Sequence, residues 1–314
     1  MSVQLQSEAI QKPLVNPSMA QEPLALSDIV PGLGLVAEGG GQKGVFTAGV
    51  LDSWLVEGFN PFEILVGTSA GAQNIASYLS SQTGFAYSAI SHLTMDERFF
   101  SLMSGLTGKN ALNLDWYFKQ VKTPTYQLDL NKAKENAQGR KIRFATTSLE
   151  KVQTKLLNPQ KSGWLKSLKA SSAIPLLYRP GVKIRGKAYI DGGVSAPIPV
   201  KEAYKLGADK VVVIRTSKTS DSPITQFIGR TRPVFNKTNW YPRTLTWLDK
   251  HEASYDEAQR FIERPPKDLK VVEIYPPRPL RSKLLGSTED DLIEDYRMGY
   301  EVGKQFILNR ETLL

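Results

Sequence analysis

Cysteine is absent from this sequence. That excludes a disulfide framework, a thiol nucleophile and any zinc or iron–sulfur centre built on thiolates. Histidine is almost absent: His92 and His251 are the two in 314 residues, so a metal centre of several imidazoles is excluded as well. Long hydrophobic runs are missing. The aliphatic stretches are as short as residues 211–214, against the ~18 apolar residues that mark a membrane span. Residues 1–20 lack the basic patch and apolar core of a secretory signal. What is present is ordinary globular material, 41% apolar and 23% charged, enough for a sizeable core. Lys and Arg outnumber Asp and Glu by 40 to 31, a net charge of +9. That favours anionic partners such as membrane surfaces, phosphorylated ligands or nucleic acid, without choosing among them. The expectation is a soluble, cytoplasmic protein, with peripheral contact at the inner face of the membrane left open.

Residues 1–30 mix Gln, Ser, Pro and short apolar pieces without a period and read as a loose leader. The grammar then changes. Residues 33–37 read as an apolar strand, a glycine cluster follows, and residues 45–57 carry apolar side chains at helical spacing. Residues 64–66 read as a second strand, leading through a Gly-Ser turn into a helix over 72–79. Strand, turn and helix twice over predict an α/β sheet with helices on its faces. Further strands are expected at 141–148, 188–190, 210–215 and 270–274, and helices at 163–173, 200–206, 242–263 and 290–308. Residues 216–233, rich in Ser, Thr, Pro and Gly, read as a long loop. The division expected is a leader (1–30), a catalytic core (31–215) and a C-terminal extension packed on it (216–314).

Three elements at expected strand ends carry chemistry. Gly67-Thr68-Ser69-Ala70-Gly71 fits G-x-S-x-G, in which a serine on a strained strand-to-helix turn projects its hydroxyl outward. Gly67 and Gly71 let the backbone pass closely, and the helix N-terminus supplies N–H groups for an oxyanion. An ordinary tight turn fits the same letters. In Glu38-Gly39-Gly40-Gly41-Gln42-Lys43-Gly44, several unshielded N–H groups can cradle an anion. An oxyanion hole and a phosphate loop are both open, although the P-loop pattern fails because Gly44 follows Lys43. A dinucleotide fingerprint can be laid on Gly39, Gly41 and Gly44, but it leaves Ser69 without a role. Asp191-Gly192-Gly193 puts a carboxylate at a strand end, in a dipeptide that also favours a plain type I′ or II turn. Together they supply a nucleophile, a proton acceptor and a donor cluster.

The ordered set resembles the patatin-like phospholipase family, whose signature joins a G-G-G-x-[RK]-G box, a G-x-S-x-G elbow and a D-G-[GA] motif. A fourth block, Ala170-Ser171-Ser172-Ala173-Ile174-Pro175, looks like that family's helix and proline turn before the aspartate. The resemblance covers about residues 33–215 and is nearest to the bacterial intracellular branch. One departure is Glu38 where many members have Asp, a change expected to be tolerated because the oxyanion donors are backbone groups. The resemblance implies a three-layer α/β/α patatin-like fold with a mostly parallel central sheet and a C-terminal α+β extension. It implies a Ser–Asp dyad that hydrolyses phospholipid or a related lipid ester through an acyl-enzyme. Ser69 is then the nucleophile, Asp191 the base, and Gly39, Gly40 and Gly41 the oxyanion hole. Lys43, Gly44, Gly67, Gly71, Gly192 and Gly193 complete the motifs, and no cofactor or metal is implied. Lys43 either adds charge near the oxyanion or is simply solvated.

Two other readings stay open. The order Ser69, Asp191, His251 is that of a conventional esterase triad, although a surface or partly buried histidine is the default for His251. A non-catalytic lipid- or partner-binding protein on the same scaffold is the second. Residues 224–250 interleave five basic residues (Arg230, Arg232, Lys237, Arg243 and Lys250) with Phe227, Phe235, Trp240, Tyr241 and Trp247 against one acid, Asp249. The mixture suits an anionic lipid interface, and equally a packing segment with a solvated face. It also suits single-stranded nucleic acid, but no nucleic-acid module is visible, so nucleic acid is not the expected partner.

Overall fold

The computed structural model describes residues 29–179, 181–217 and 241–314. Residues 1–28 of the expected leader, nearly all of the expected loop at 216–233, and residues 224–240 of the basic-aromatic segment lie outside the described residues. Among the described residues, eight strands form one sheet: β1 (Val30–Ala37), β2 (Phe62–Thr68), β3 (Lys141–Ser148), β4 (Thr154–Leu157), β5 (Val182–Ile184), β6 (Lys187–Asp191), β7 (Lys210–Ile214) and β8 (Lys270–Ile274). The order is β5-β6-β3-β2-β1-β7-β8, with β4 also on β3. Strands β3, β2, β1, β7 and β8 are parallel, while β4, β5 and β6 run antiparallel to their neighbours. From β1 the chain order runs outward through β2 and β3 on one side and through β7 and β8 on the other. In such sheets the crevice beyond the carboxyl ends at the reversal is where ligands bind.

The central strands are apolar on both faces, which demands a helical layer on each side. Leu35 and Ala37 of β1, Leu65 of β2, and Val212 and Ile214 of β7 face one core. Val36, Ile64, Val66, Val211 and Val213, at the alternating positions, face the other. The first core is covered by α1 (Gly44–Val56), α2 (Ala70–Leu79), the short α3 (Phe85–Ser88), α5 (Leu114–Gln120), α6 (Leu130–Asn136) and α8 (Trp164–Ser171), while the short α4 (Leu102–Leu106) and α7 (Pro159–Ser162) lie in the connections. The second is covered by α9 (Val200–Lys205) and α10 (Tyr241–Glu263), through Val200, Ala203, Tyr255, Ala258 and Ile262. The last helix, α11 (Glu289–Leu313), returns to the first side.

The C-terminal segment is built into this frame. Strand β8 pairs with β7 in register, Ile214 beside Ile274. Helix α11 crosses α1 closely: a Cβ on Gly299 would lie 2.1 Å from Phe46 O, and one on Gly49 2.2 Å from Tyr296 O. Trp54 Nε1 donates to Gly303 O at 3.2 Å. Buried from Gly44 to Leu55, α1 shows no polar face.

The expected elements are found with ends shifted by a few residues. Helices α3 to α7, four to seven residues each, are additional, as are strands β4 and β5; four and three residues long and carrying lysines, these strands have too little periodicity to read. The terminal helix starts within one residue of the expected position, where Thr288 and Asp291 form a capping box, and runs five residues further at its C-terminal end. No helix among the described residues is long and apolar enough to cross a membrane.

Candidate active site

Register brings the motifs together. Ala37, the last residue of β1, lies beside Gly67 of β2 and Ile214 of β7. Thr68 lies beside Ala145 of β3, and Thr146 beside Asp191 of β6. The glycine loop after β1, the elbow after β2 and the acid turn after β6 therefore emerge at one edge of the sheet.

Ser69 sits between β2 and α2 at φ 53°, ψ −120°. That left-handed conformation is costly for a residue with a side chain. It persists because its surroundings allow little else. A Cβ on Gly67 would lie 2.7 Å from Ala72 Cα, and one on Gly71 2.3 Å from Ala37 O. Both glycines are required by close approach rather than by positive φ. Ser69 N–H donates to Ser171 Oγ at 2.9 Å, and Ser171 Oγ donates to Ala145 O at 2.7 Å. The fourth sequence block thus supplies the peg that holds the elbow.

Asp191 is 1% exposed. Its Oδ2 accepts the Ser69 hydroxyl at 2.7 Å and its Oδ1 accepts Gly193 N–H at 2.7 Å. Burial pushes its carboxyl up to about 7, against the opposing pull of Gly193 N–H and Ser69 O–H. A carboxylate poised there is a competent base at neutral pH. The type I′ or II turn that the dipeptide also favours is not formed: Gly192–Val194 is a 3₁₀ turn capped by Asp191. Gly192 is needed because a Cβ would lie 2.3 Å from Ala145 O, not because its φ is positive.

Donors in the glycine loop are unequal. Gly39 N–H donates to Pro197 O at 3.2 Å. Among the described residues, the N–H groups of Gly40 and Gly41 have no such partner. Gly41 takes φ 57° and presses so close to Leu284 O that a Cβ would lie 2.2 Å away. Gly44 abuts Ala70 at the start of α2, and its carbonyl accepts Asn74 Nδ2 at 2.9 Å. Behind the loop, Glu38 is buried and its Oε2 accepts Thr216 N–H at 2.6 Å. Burial raises its carboxyl above the usual range, opposed by the Arg215 guanidinium and, more weakly, by Lys43. The charge of Lys43 thus acts in part on Glu38. Arg215, itself buried, donates to Glu273 Oε2 at 2.8 Å and to the Tyr255 hydroxyl at 3.2 Å.

His251 is 2% exposed, not the surface or partly buried side chain expected. Sequence pattern missed this because α10 looks polar while one stripe of it is pressed on the sheet. Its Nδ1 donates to Gly193 O, and burial lowers its pKa, keeping it neutral. No imidazole stands between Ser69 Oγ and Asp191, so the relay geometry of a conventional triad is not built here. His92 is exposed and its ring lies by Ser88. Trp247, one of the aromatics read as interfacial, is buried against Leu176, Ile190 and Val194, so it packs on the acid turn.

Ser69 opens onto a cleft that also runs past Gly41 and Gln42. Its walls are apolar, with Ile90, Phe99, Leu114, Phe118, Leu168 and Ile174 among them. Gln73, one turn along α2, lines it and ties its wall: it accepts the Tyr117 hydroxyl at 2.5 Å and donates to Ser172 Oγ at 3.1 Å. The cleft wall, Gln73 and the burial of Arg215 near Glu38 had no signal in the sequence, because each depends on residues far apart in the chain.

Residues 35–204 match the patatin-like phospholipase family, and residues 241–314 match a domain of unknown function, DUF6363. The Escherichia coli protein YjjU, described as uncharacterised, is 39% identical over 294 residues, covering 93% of this chain and 82% of that protein. The crystal structure of VipD from Legionella pneumophila matches with a TM-score of 0.48 and 13% identity, over 88% of this chain and 66% of that one.

Proposed function

Because the chain belongs to the patatin-like phospholipase family, we propose that it is a lipid acyl hydrolase working through Ser69 and Asp191. The observation that carries this reading is the direct 2.7 Å hydrogen bond from Ser69 Oγ to a buried carboxyl poised near 7, beside an apolar cleft. Asp191 takes the hydroxyl proton as Ser69 Oγ bonds to the acyl carbonyl carbon. The N–H groups of Gly40 and Gly41 hold the resulting oxyanion, with Gly39 making room beside Ser69. Collapse breaks the ester bond, and the leaving alkoxide takes the proton from Asp191. Water then gives its proton to Asp191, attacks the acyl-serine, and releases a fatty acid with the proton returned to Ser69. The apolar cleft suits the acyl chain, and phospholipid or a related lipid ester is the substrate class proposed.

A fluorophosphonate probe tests the nucleophile. Wild type should label at Ser69 and release fatty acid from mixed phospholipid vesicles, while folded Ser69→Ala should do neither. Labelling elsewhere, or hydrolysis persisting in Ser69→Ala, would falsify the assignment.

A further inference from the structure

We infer that the C-terminal segment, residues 241–314, positions both halves of the catalytic centre, with His251 holding the acid turn and the loop at Leu284 and Ser287 holding the glycine box. This rests on the hydrolase reading above.

Three residues at successive helical turns of α10 meet the region around the acid turn. Trp247 packs on Ile190 and Val194, which flank Asp191 on either side. His251 donates from Nδ1 to Gly193 O. Gly193 in turn donates its N–H to Asp191 Oδ1 at 2.7 Å, so the imidazole and the carboxylate grip the same residue from opposite sides. Tyr255 accepts from Arg215, the buried cation whose charge offsets that of Glu38 at the root of the glycine box. A neutral, buried histidine here is a fixed donor, not a proton carrier.

The second grip lies across the active site. Leu284 O accepts Gln42 N–H at 3.0 Å. The Gln42 side chain closes the clasp: Oε1 accepts Ser287 N–H at 2.8 Å and Nε2 donates to Thr94 Oγ1 at 3.0 Å. Gln42 is buried and directly follows Gly41, so its placement sets the direction of the preceding N–H groups. Nucleophile, acid and oxyanion donors all belong to residues before 215, but two of the three are aimed by residues after 241. Misplacing such groups by ~1 Å costs up to ~100-fold in rate.

The test uses full-length protein and a soluble p-nitrophenyl butyrate assay. His251→Leu removes the donor, whereas His251→Asn keeps one near the Nδ1 position. We expect folded His251→Leu to lose ~10- to 100-fold in kcat with KM changed less than ~threefold, and His251→Asn to recover to within ~threefold of wild type. Gln42→Leu and Gln42→Glu form the second pair, the glutamate keeping the acceptor for Ser287 N–H, and should fall and recover in the same sense. Hydrogen exchange over residues 188–196 needs no turnover: His251→Leu should exchange faster there than wild type or His251→Asn. The inference is overturned if folded His251→Leu keeps wild-type kcat and exchange, or if His251→Asn falls as far as His251→Leu, which would leave only a packing role. Should His251→Leu fail to fold, the Gln42 pair decides in the same terms. A wild type inactive on both this ester and the phospholipid vesicles, with the expected exchange pattern, rejects the hydrolase reading and spares the positioning. An active wild type with silent variants does the reverse.

Discussion

Asp191 carries two linked consequences, one for rate and one for stability. Its carboxyl is held near 7 by burial, so the ionised form that can accept the Ser69 proton dominates above that pH. Activity as kcat/KM should rise with pH and level off above an inflection near 7. The stability effect has the opposite sense. The folded-state pKa lies above the unfolded value of about 4, so between the two the fold retains a proton that the unfolded chain has released. The contribution of this residue is therefore most favourable below about 4 and declines as pH rises to about 7. Asp191→Asn should abolish activity, by at least ~1,000-fold. At pH 8 it should also unfold at a higher urea concentration than wild type, with the gain fading toward pH 4. Urea midpoints at the two pH values check this, and a variant that is destabilised at pH 8 would remove the argument that burial disfavours the charge.

Among the elements, the crossing of α1 and α11 is the contact with least slack. Three glycines, Gly49, Gly299 and Gly303, let the two backbones touch: a Cβ on Gly303 would lie 2.1 Å from Ser53 Oγ. Gly299→Ala puts a methyl group against the Phe46 carbonyl, which is backbone and cannot rotate away. The expected loss is ~2–3 kcal/mol or more, read from urea unfolding at unchanged m-value. The same substitution at Gly58, whose Cβ would meet nothing within 4 Å but whose φ is +65°, should cost only ~1 kcal/mol through backbone strain. Comparing the two separates close approach from conformation as the reason for a glycine.

For the whole molecule, β8 and α11 come from the far end of the chain yet complete the sheet edge and the first helical layer. A chain ending at residue 240 would bare the β7 edge and the apolar face of α1. It should elute as aggregates or bind a hydrophobic dye strongly, where full-length protein should do neither. Net charge acts at the same scale. With +9 overall, hydrolysis of vesicles containing anionic lipid should exceed that of zwitterionic vesicles, and the difference should shrink as salt is raised from 0.05 to about 0.5 M. A difference unaffected by salt would point to head-group recognition in the cleft.

Much of this protein was legible in its sequence because the information was local. Apolar runs bounded by glycines marked β1, β2, β3 and β7, and three short motifs marked the ends of β1, β2 and β6. Tight turns permit few residue types, so Gly67, Ser69, Gly71 and Asp191-Gly192 announce themselves in one dimension. The lysine-bearing strands β4 and β5 were too short to show a period. The burial of His251 and Trp247 in a polar-looking helix was hidden as well, since one stripe in 3.6 residues decides it. Composition and local pattern by themselves determined a cysteine-free α/β protein with a serine and an aspartate at strand ends. Only the tertiary structure decided that Ser69 and Asp191 lie within one hydrogen bond, that the carboxyl is desolvated, and that Gly39 spends its N–H on Pro197. It alone decided that the C-terminal segment closes on both motifs, because distance, burial and hydrogen bonding are relations between parts of the chain that sequence order leaves far apart.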